Sequence, residues 1–304
     1  MKSHRIWLGL LVLSVSALAS AAEDQSTKTK HLLRYKFSKN ESLRWNVIHQ
    51  GTNETTIRGH TQETKSHSAS TKLWRVTDAN EKGHITIIHS VENVNMRQQL
   101  PDRPEVSYNS ETDETAPPLY EHVAKTVGVP ITTVTIDSTG NIIERISNAR
   151  QANFGLGDIV MLLPPKAVKA GSRWYEPSEL QVRMPDKKIK RIKIRKRYTL
   201  QKVLTGVATI RVKTEVLTPV REASVQAQLV QQLTAGTIKF DVDAGRVMSM
   251  QIDWDETVVG FDGPDSRMKY LARITEQLVK KDRVKPAGTT ARAKRTNKPR
   301  PRVK

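Results

Sequence analysis

Along most of the chain apolar and polar residues alternate with a period of two, the spacing of a strand with one buried face. Leu43, Trp45 and Val47 form one such run, and Trp74 and Val76 lead through a Gly83 turn into Ile85, Ile87 and Val91. The clearest strand-turn-strand pattern lies in residues 236–261. Thr237, Ile238, Lys239 and Phe240 are β-prone. The DVDAG segment at 241–245 then supplies an Asp that bonds its own backbone and a Gly free to take positive φ. Val247, Met248, Met250 and Ile252 carry the chain back out, so a hairpin is predicted. Residues 133–143, TVTIDSTGNII, echo it: Val134 and Ile136 match Ile238 and Phe240, Asp137 matches Asp241, Gly140 matches Gly245, and Ile142 matches Val247.

The echo extends upstream, and it divides the chain into a first β half at 31–145, a connector at 146–165 and a second β half at 166–262. Each half holds an aromatic-anchored strand (Trp45, Trp174), a long hairpin about a Gly turn (Gly83, Gly206) and a shorter Asp-to-Gly hairpin. Internal duplication accounts for two copies in one order. Keeping apolar faces together predicts that Val76 pairs with Ile85, Trp74 with Ile87, and Leu200 with Ile210. Prolines and the acidic run at 111–114 mark residues 101–118 as a lid-like excursion, and 120–127 as a short helix ended by Gly128 and Pro130. Residues 265–281 predict a C-terminal helix: Asp265 or Ser266 can cap it, and Met268, Leu271, Thr275, Leu278 and Val279 fall on one face. The fold class expected is therefore mainly β. It is a curved antiparallel sheet or barrel-like unit of two similar halves, with a C-terminal helix and few others.

Composition changes this picture at the ends. Lys2, His4 and Arg5 precede an apolar run and the small residues 19–21, so residues 1–21 read as a signal peptide and the destination as extracytoplasmic, periplasm or exterior. The chain has no cysteine, which removes disulfides and thiolate metal sites and leaves core packing to hold the fold. The formal charge of +19 is concentrated in two places. Residues 280–304 carry eleven Lys or Arg against Asp282, and 187–197 carry eight with no acid. The first, at 284–304, is expected to be a disordered basic tail with nothing to bury.

The second lies on a strand. Ile192, Ile194, Tyr198 and Leu200 share one parity, so Arg191, Lys193, Arg195 and Arg197 share the other, and pairing Leu200 with Ile210 sets Arg197 opposite Lys213 with Arg211 beside them. This row is the candidate polyanion-binding site. Cations that guard a free sheet edge against pairing are the competing explanation.

No constellation predicts catalysis. His49, His60, His67, His84 and His89 lack metal-ligand spacing, Asp253, Asp255 and Glu256 form no calcium loop, and no nucleophile elbow, phosphate loop or dinucleotide fingerprint occurs. No cofactor or metal is expected. Trp45, Trp174 and Tyr198 could line an apolar pocket, although large aromatics at strand starts usually fill a core. The segments LLRYKF at 32–37, ESLRW at 41–45, WRV at 74–76, VGVPI at 127–131 and TIDSTGNI at 135–142 resemble an uncharacterised family of secreted bacterial proteins of planctomycete type, a domain of unknown function. That resemblance spans residues 32–261 and implies export and a β-rich fold, with no site residue.

The function expected is a non-catalytic exported binding or envelope protein that engages an anionic envelope polymer or membrane surface. The alternative is a carrier of an apolar ligand or lipid in a β cavity, and a hydrolase ranks below both. Without aromatics interleaved in 187–197, nucleic acid is a poorer partner.

Overall fold

The computed structural model describes residues 29–147, 160–184 and 186–279. Residues 1–28, 148–159, 185 and 280–304 lie outside the described residues, and with them the expected signal peptide, the expected basic tail and most of the expected connector.

The chain is mainly β, 59% strand and 7% helix, in one antiparallel sheet of twelve strands that is curved and not closed. The first half contributes β1 (Ser42–Ile57), β2 (His60–Ala79), β3 (Ile85–Gln99), β4 (Val106–Asn109), β5 (Pro130–Ile136) and β6 (Ile142–Ser147). The second contributes β7 (Arg173–Arg183), β8 (Ile189–Leu204), β9 (Val207–Val216), β10 (Ala235–Asp241), β11 (Arg246–Val259) and β12 (Arg267–Leu278). Their order across the sheet is β6-β5-β3-β2-β1-β12-β11-β10-β9-β8-β7, with β4 pairing off this path with β3. Each half is thus a meander, and β12 joins the two by pairing with β1. Helix α1 (Glu121–Ala124), entered through a 3₁₀ turn at Pro118–Tyr120, lies between β4 and β5. Helix α2 (Ala223–Leu229) lies between β9 and β10 and runs into a 3₁₀ turn at Val230–Gln232.

Strand spacing shows how strongly the sheet bends. Eleven strands laid flat at about 4.8 Å would hold β6 and β7 roughly 48 Å apart. Instead Val134 and Ile136 of β5 share one buried cluster with Trp174 of β7 and Tyr198 of β8. Two extended segments fill the space between the edges, contributing Leu33, Tyr35 and Phe37 from the first and Val160, Met161 and Leu163 from the second. The Tyr35 N–H donates to Ser138 O at 2.8 Å, the Lys36 N–H to Gly245 O at 3.0 Å, and the Leu163 N–H to Thr139 O at 2.8 Å. The two Asp-to-Gly turns that echo each other in sequence therefore dock the same N-terminal segment. In each turn the Asp folds the loop as its residue type predicts: Asp137 Oδ1 accepts from the Thr139 N–H at 2.7 Å, and Asp241 Oδ1 from the Ala244 N–H at 2.7 Å. Gly140 has φ +86°, and a Cβ there would lie 2.7 Å from Met161 O. Gly245 has φ +62°, and its Cβ would lie 2.6 Å from Arg34 O.

Two expectations are corrected. Residues 267–278 form the strand β12, not a C-terminal helix. The stripe from Met268 to Leu278 fits a helix, but the same residues carry a period of two, with Ala272, Ile274 and Glu276 buried while Arg273 and Gln277 are exposed. Paired on both sides, by β1 and β11, the strand has its backbone groups satisfied by the sheet, and this tertiary pairing overrides the local pattern. In the β2–β3 hairpin, Val76 pairs with Ile87 and Trp74 with His89, two residues from the expected register, with irregularities at Thr71/Lys72 and Val76/Asp78. A shift of two keeps every side chain on its predicted face. The pairing of Leu200 with Ile210 and of Arg197 with Lys213 is as predicted.

Candidate functional site

Strand alternation and register together define the inner face of the curved sheet. One cross-strand row runs Tyr198, Val212, Gly236, Ile252, Ile274, His49, Ser68 and Met96. Both wings of this face are covered. Tyr120 and Val123 pack onto Val91, Val94 and Ile131 in one wing, and Val225 and Leu229 onto Val182, Ile192 and Ile194 in the other. Trp254 Nε1 also donates to Gln231 O at 2.9 Å, tying the turn after α2 to β11.

Between the wings, the inner faces of β2, β1, β12 and β11 form a strip of mostly half-buried side chains, the trough. Met250, Ile252 and Trp254 are half-buried against the main core. Beside them the side chains are small: Gly51 pairs with Ser66 on one side and Ala272 on the other, and a Cβ on Gly51 would meet Ser66 Oγ at 3.1 Å and the Ala272 Cβ at 3.8 Å. Four strands at about 4.8 Å spacing make this floor roughly 14 Å wide.

The trough ends at a polar floor. Lys72 of β2 reaches over β1 to form an ion pair with Glu276 of β12, the two side chains 8% and 7% exposed. Lys72 Nζ also sits 5.1 Å from the centroid of the Trp45 ring and 5.4 Å from that of Trp74. Next to Trp74 across the hairpin is His89, whose imidazole is pushed down to about 4 by burial first and the Lys72 charge second. Three buried polar atoms have no hydrogen-bond partner among the described residues: Trp74 Nε1, His89 Nδ1 and Asn53 Oδ1. By parity all three belong to the inner face. Trp74 and His89 are cross-strand neighbours, whereas Asn53 lies ten positions along β1 from Leu43, the partner of Trp74, about 33 Å away. Buried polar groups are nearly always satisfied, so the Trp74–His89 pair stands out. In the other wing Lys196, beside Glu176 and Thr214, is pushed down to about 8 by burial, and the Tyr198 hydroxyl donates to Glu176 Oε2 at 2.7 Å. Among the described residues no three His, Asp or Glu side chains stand close enough to share a metal ion.

The basic residues singled out from the sequence lie on the opposite, outer face. Arg191, Lys193, Arg211 and Lys213 are exposed there, while Arg195 and Arg197 bind Glu215 at 2.8 and 2.5 Å. Arg195 also stacks 4.2 Å above the Tyr175 ring. Trp45, Trp174 and Tyr198 are buried in the main core, where Trp45 Nε1 donates to Val247 O and Trp174 Nε1 to Leu162 O. His49 faces the trough, whereas His60, His67 and His84 do not join it. Sequence reasoning missed Lys72, Glu276 and Lys196. Each carries a readable signal: a charged residue two positions from a buried Trp74, Ile274 or Tyr198, at the parity of the buried face. Helix α2 was missed as well, although Val225 and Leu229 stand at helical spacing after Pro219.

No protein-family model matches the chain, and no curated protein matches it. Among solved structures, one described as showing lipid-protein interactions in lipovitellin is similar at 12% identity with a TM-score of 0.43. The match covers 81% of this chain and 26% of that one, so the chain spans about a quarter of the lipovitellin length. A DUF1329 family protein from Desulfovibrio piger is similar at 10% identity with a TM-score of 0.13, covering 87% of this chain and 90% of that one.

Proposed function

We propose that the protein is a non-catalytic, extracytoplasmic carrier of an elongated amphiphile, whose apolar body lies in the trough and whose polar end meets the floor at Trp74, His89 and Lys72. The observation that supports this most is the inner face itself. Both wings of the sheet are covered by helical excursions, yet the middle is left half-buried, paved by Met250, Ile252 and Trp254 beside residues too small to fill it. A recessed apolar floor with a few convergent polar groups is the usual chemistry of a small-molecule site. The unpartnered Trp74 Nε1 donates only, so it suits a hydroxyl, carbonyl or acid oxygen on the ligand. Export rests on the charged and apolar pattern of residues 1–21.

Native mass spectrometry of the mature protein tests this reading, together with titration by a fluorescent fatty-acid analogue. Ser68 is half-buried on the trough floor between His49 and Met96, so Ser68→Phe places a ring in the space assigned to the guest. The variant should melt within a few degrees of the parent and bind the analogue at least tenfold more weakly. No bound apolar species and no analogue binding by the parent, or equal binding by the variant, refutes carriage.

A further inference from the structure

We propose that the outer face of β7, β8 and β9 docks the protein on an anionic lipid bilayer. This surface is on the opposite side of the sheet from the trough, so the inference stands independently of carriage. Six cations share it: Arg191, Lys193, Arg195 and Arg197 on β8, and Arg211 and Lys213 on β9. Alternate residues on a strand repeat at about 6.6 Å and neighbouring strands at about 4.8 Å, so the cations form a two-dimensional array and not a single line. The register sets Arg197 directly opposite Lys213, an arrangement that opposes strand pairing. The acids Glu179, opposite Lys193, and Glu215, bound to Arg195 and Arg197, offset only part of this charge.

Edge protection does not account for the array. The strand at this edge of the sheet is β7, while β8 is paired on both sides from Ile194 onward, by β7 and β9, and β9 by β8 and β10. Of the six cations only Arg191 and Lys193 precede the β9 ladder, and there Lys193 O accepts from the Leu217 N–H. A free edge gains from inserted charge, whereas an interior strand has no free backbone groups to guard. The repulsion built into β8 and β9 therefore calls for an external anionic surface.

Three exposed apolar side chains favour a bilayer over a soluble polymer. Tyr175 and Ile189 lie on the outer parity of β7 and β8, 41% and 59% exposed, and Leu217 follows β9, 47% exposed. Cations with apolar and Tyr side chains among them match a surface of anionic headgroups over acyl chains. For nucleic acid the face lacks a stacking platform, since the Tyr175 ring is already occupied by Arg195.

The test is sedimentation of the mature protein with vesicles of phosphatidylglycerol and phosphatidylcholine, against pure phosphatidylcholine, at rising salt. Each cation near an anionic surface strengthens binding about fivefold. Lys193→Glu, Arg211→Glu and Lys213→Glu together should thus weaken binding to the anionic vesicles at least a hundredfold, with unchanged melting temperature and unchanged fatty-acid-analogue binding. Ile189→Ser with Leu217→Ser should remove the binding that persists at high salt. All variants keep residues 280–304, so binding carried by those residues alone would leave them equal to the parent, and that result overturns the proposal. So does heparin binding by the parent with no binding to vesicles, or equal binding to charged and uncharged vesicles.

Discussion

Replacing Lys72 with methionine isolates the ion pair that ties the two halves of the sheet together. The methionine keeps an unbranched apolar stem against the Trp45 and Trp74 rings, so packing changes little while the charge is lost. What remains is the Glu276 carboxylate, its side chain 7% exposed, with its counter-charge gone. Leaving one member of a buried pair unpaired costs about 3–5 kcal/mol, a large share of the roughly 5–15 kcal/mol by which domains are stable. Glu276→Gln should cost less, because a neutral amide strands only Lys72, whose ammonium still faces two aromatic rings. The double variant Lys72→Met/Glu276→Leu should return to within about 1 kcal/mol of the parent, since neither charge then has to leave water. Urea unfolding followed by tryptophan fluorescence measures all three, because the perturbed residue lies on two of the emitting rings. A loss below about 1 kcal/mol for Lys72→Met, or a double variant as damaged as the sum of the singles, would refute this account of the pair.

Two further outcomes follow from single residues. His89 is held near 4 in the folded protein and titrates near 6.5 when unfolded, so as pH falls from about 6.5 to 4 the unfolded chain takes up a proton that the folded one refuses. Stability should drop by about 3 kcal/mol over that window and level off below it, and His89→Gln should lose this part of the slope in melts from pH 7 to 4; an identical slope in both proteins contradicts the assignment. Gly140→Ala should cost about 1–2 kcal/mol from its positive φ alone and more from the approach to Met161 O, whereas Gly59→Ala, at φ +78° with nothing within 4 Å, should show the backbone part only. Equal losses at the two positions, measured by thermal melting, would mean that the docked segments impose no restraint on the turn.

Much of the strand pattern was legible because it is local. Leu43, Trp45 and Val47, and Ile192, Ile194, Tyr198 and Leu200, announce a buried face by parity alone, and the Asp-to-Gly turns announce themselves by residue type. The Leu200–Ile210 register could be derived because it keeps both inner faces apolar, and the irregularity at Leu200/Lys202 brings the ladder into it beyond the Thr205-Gly206 turn. In β2–β3 the same face criterion fits registers two residues apart, and the irregularities there select between them. The basic row was visible for the same local reason. That β8 is an interior strand was not, because strand order depends on contacts between distant segments.

By itself, then, the amino-acid sequence determined the β class, the faces of the strands, the two echoing turns and the placement of Arg191, Lys193, Arg195 and Arg197 on one side. Tertiary structure decided what residues 267–278 become, since their apolar stripe satisfies both a helix and a strand until β1 and β11 offer hydrogen bonds on either side. It also decided the trough and its floor. Lys72 and Glu276 are 204 positions apart, and only the pairing of β12 with β1 brings them across one strand from each other. No periodicity or spacing encodes such a contact, because the two residues become neighbours only when the sheet has assembled and its curvature has taken both charges out of water.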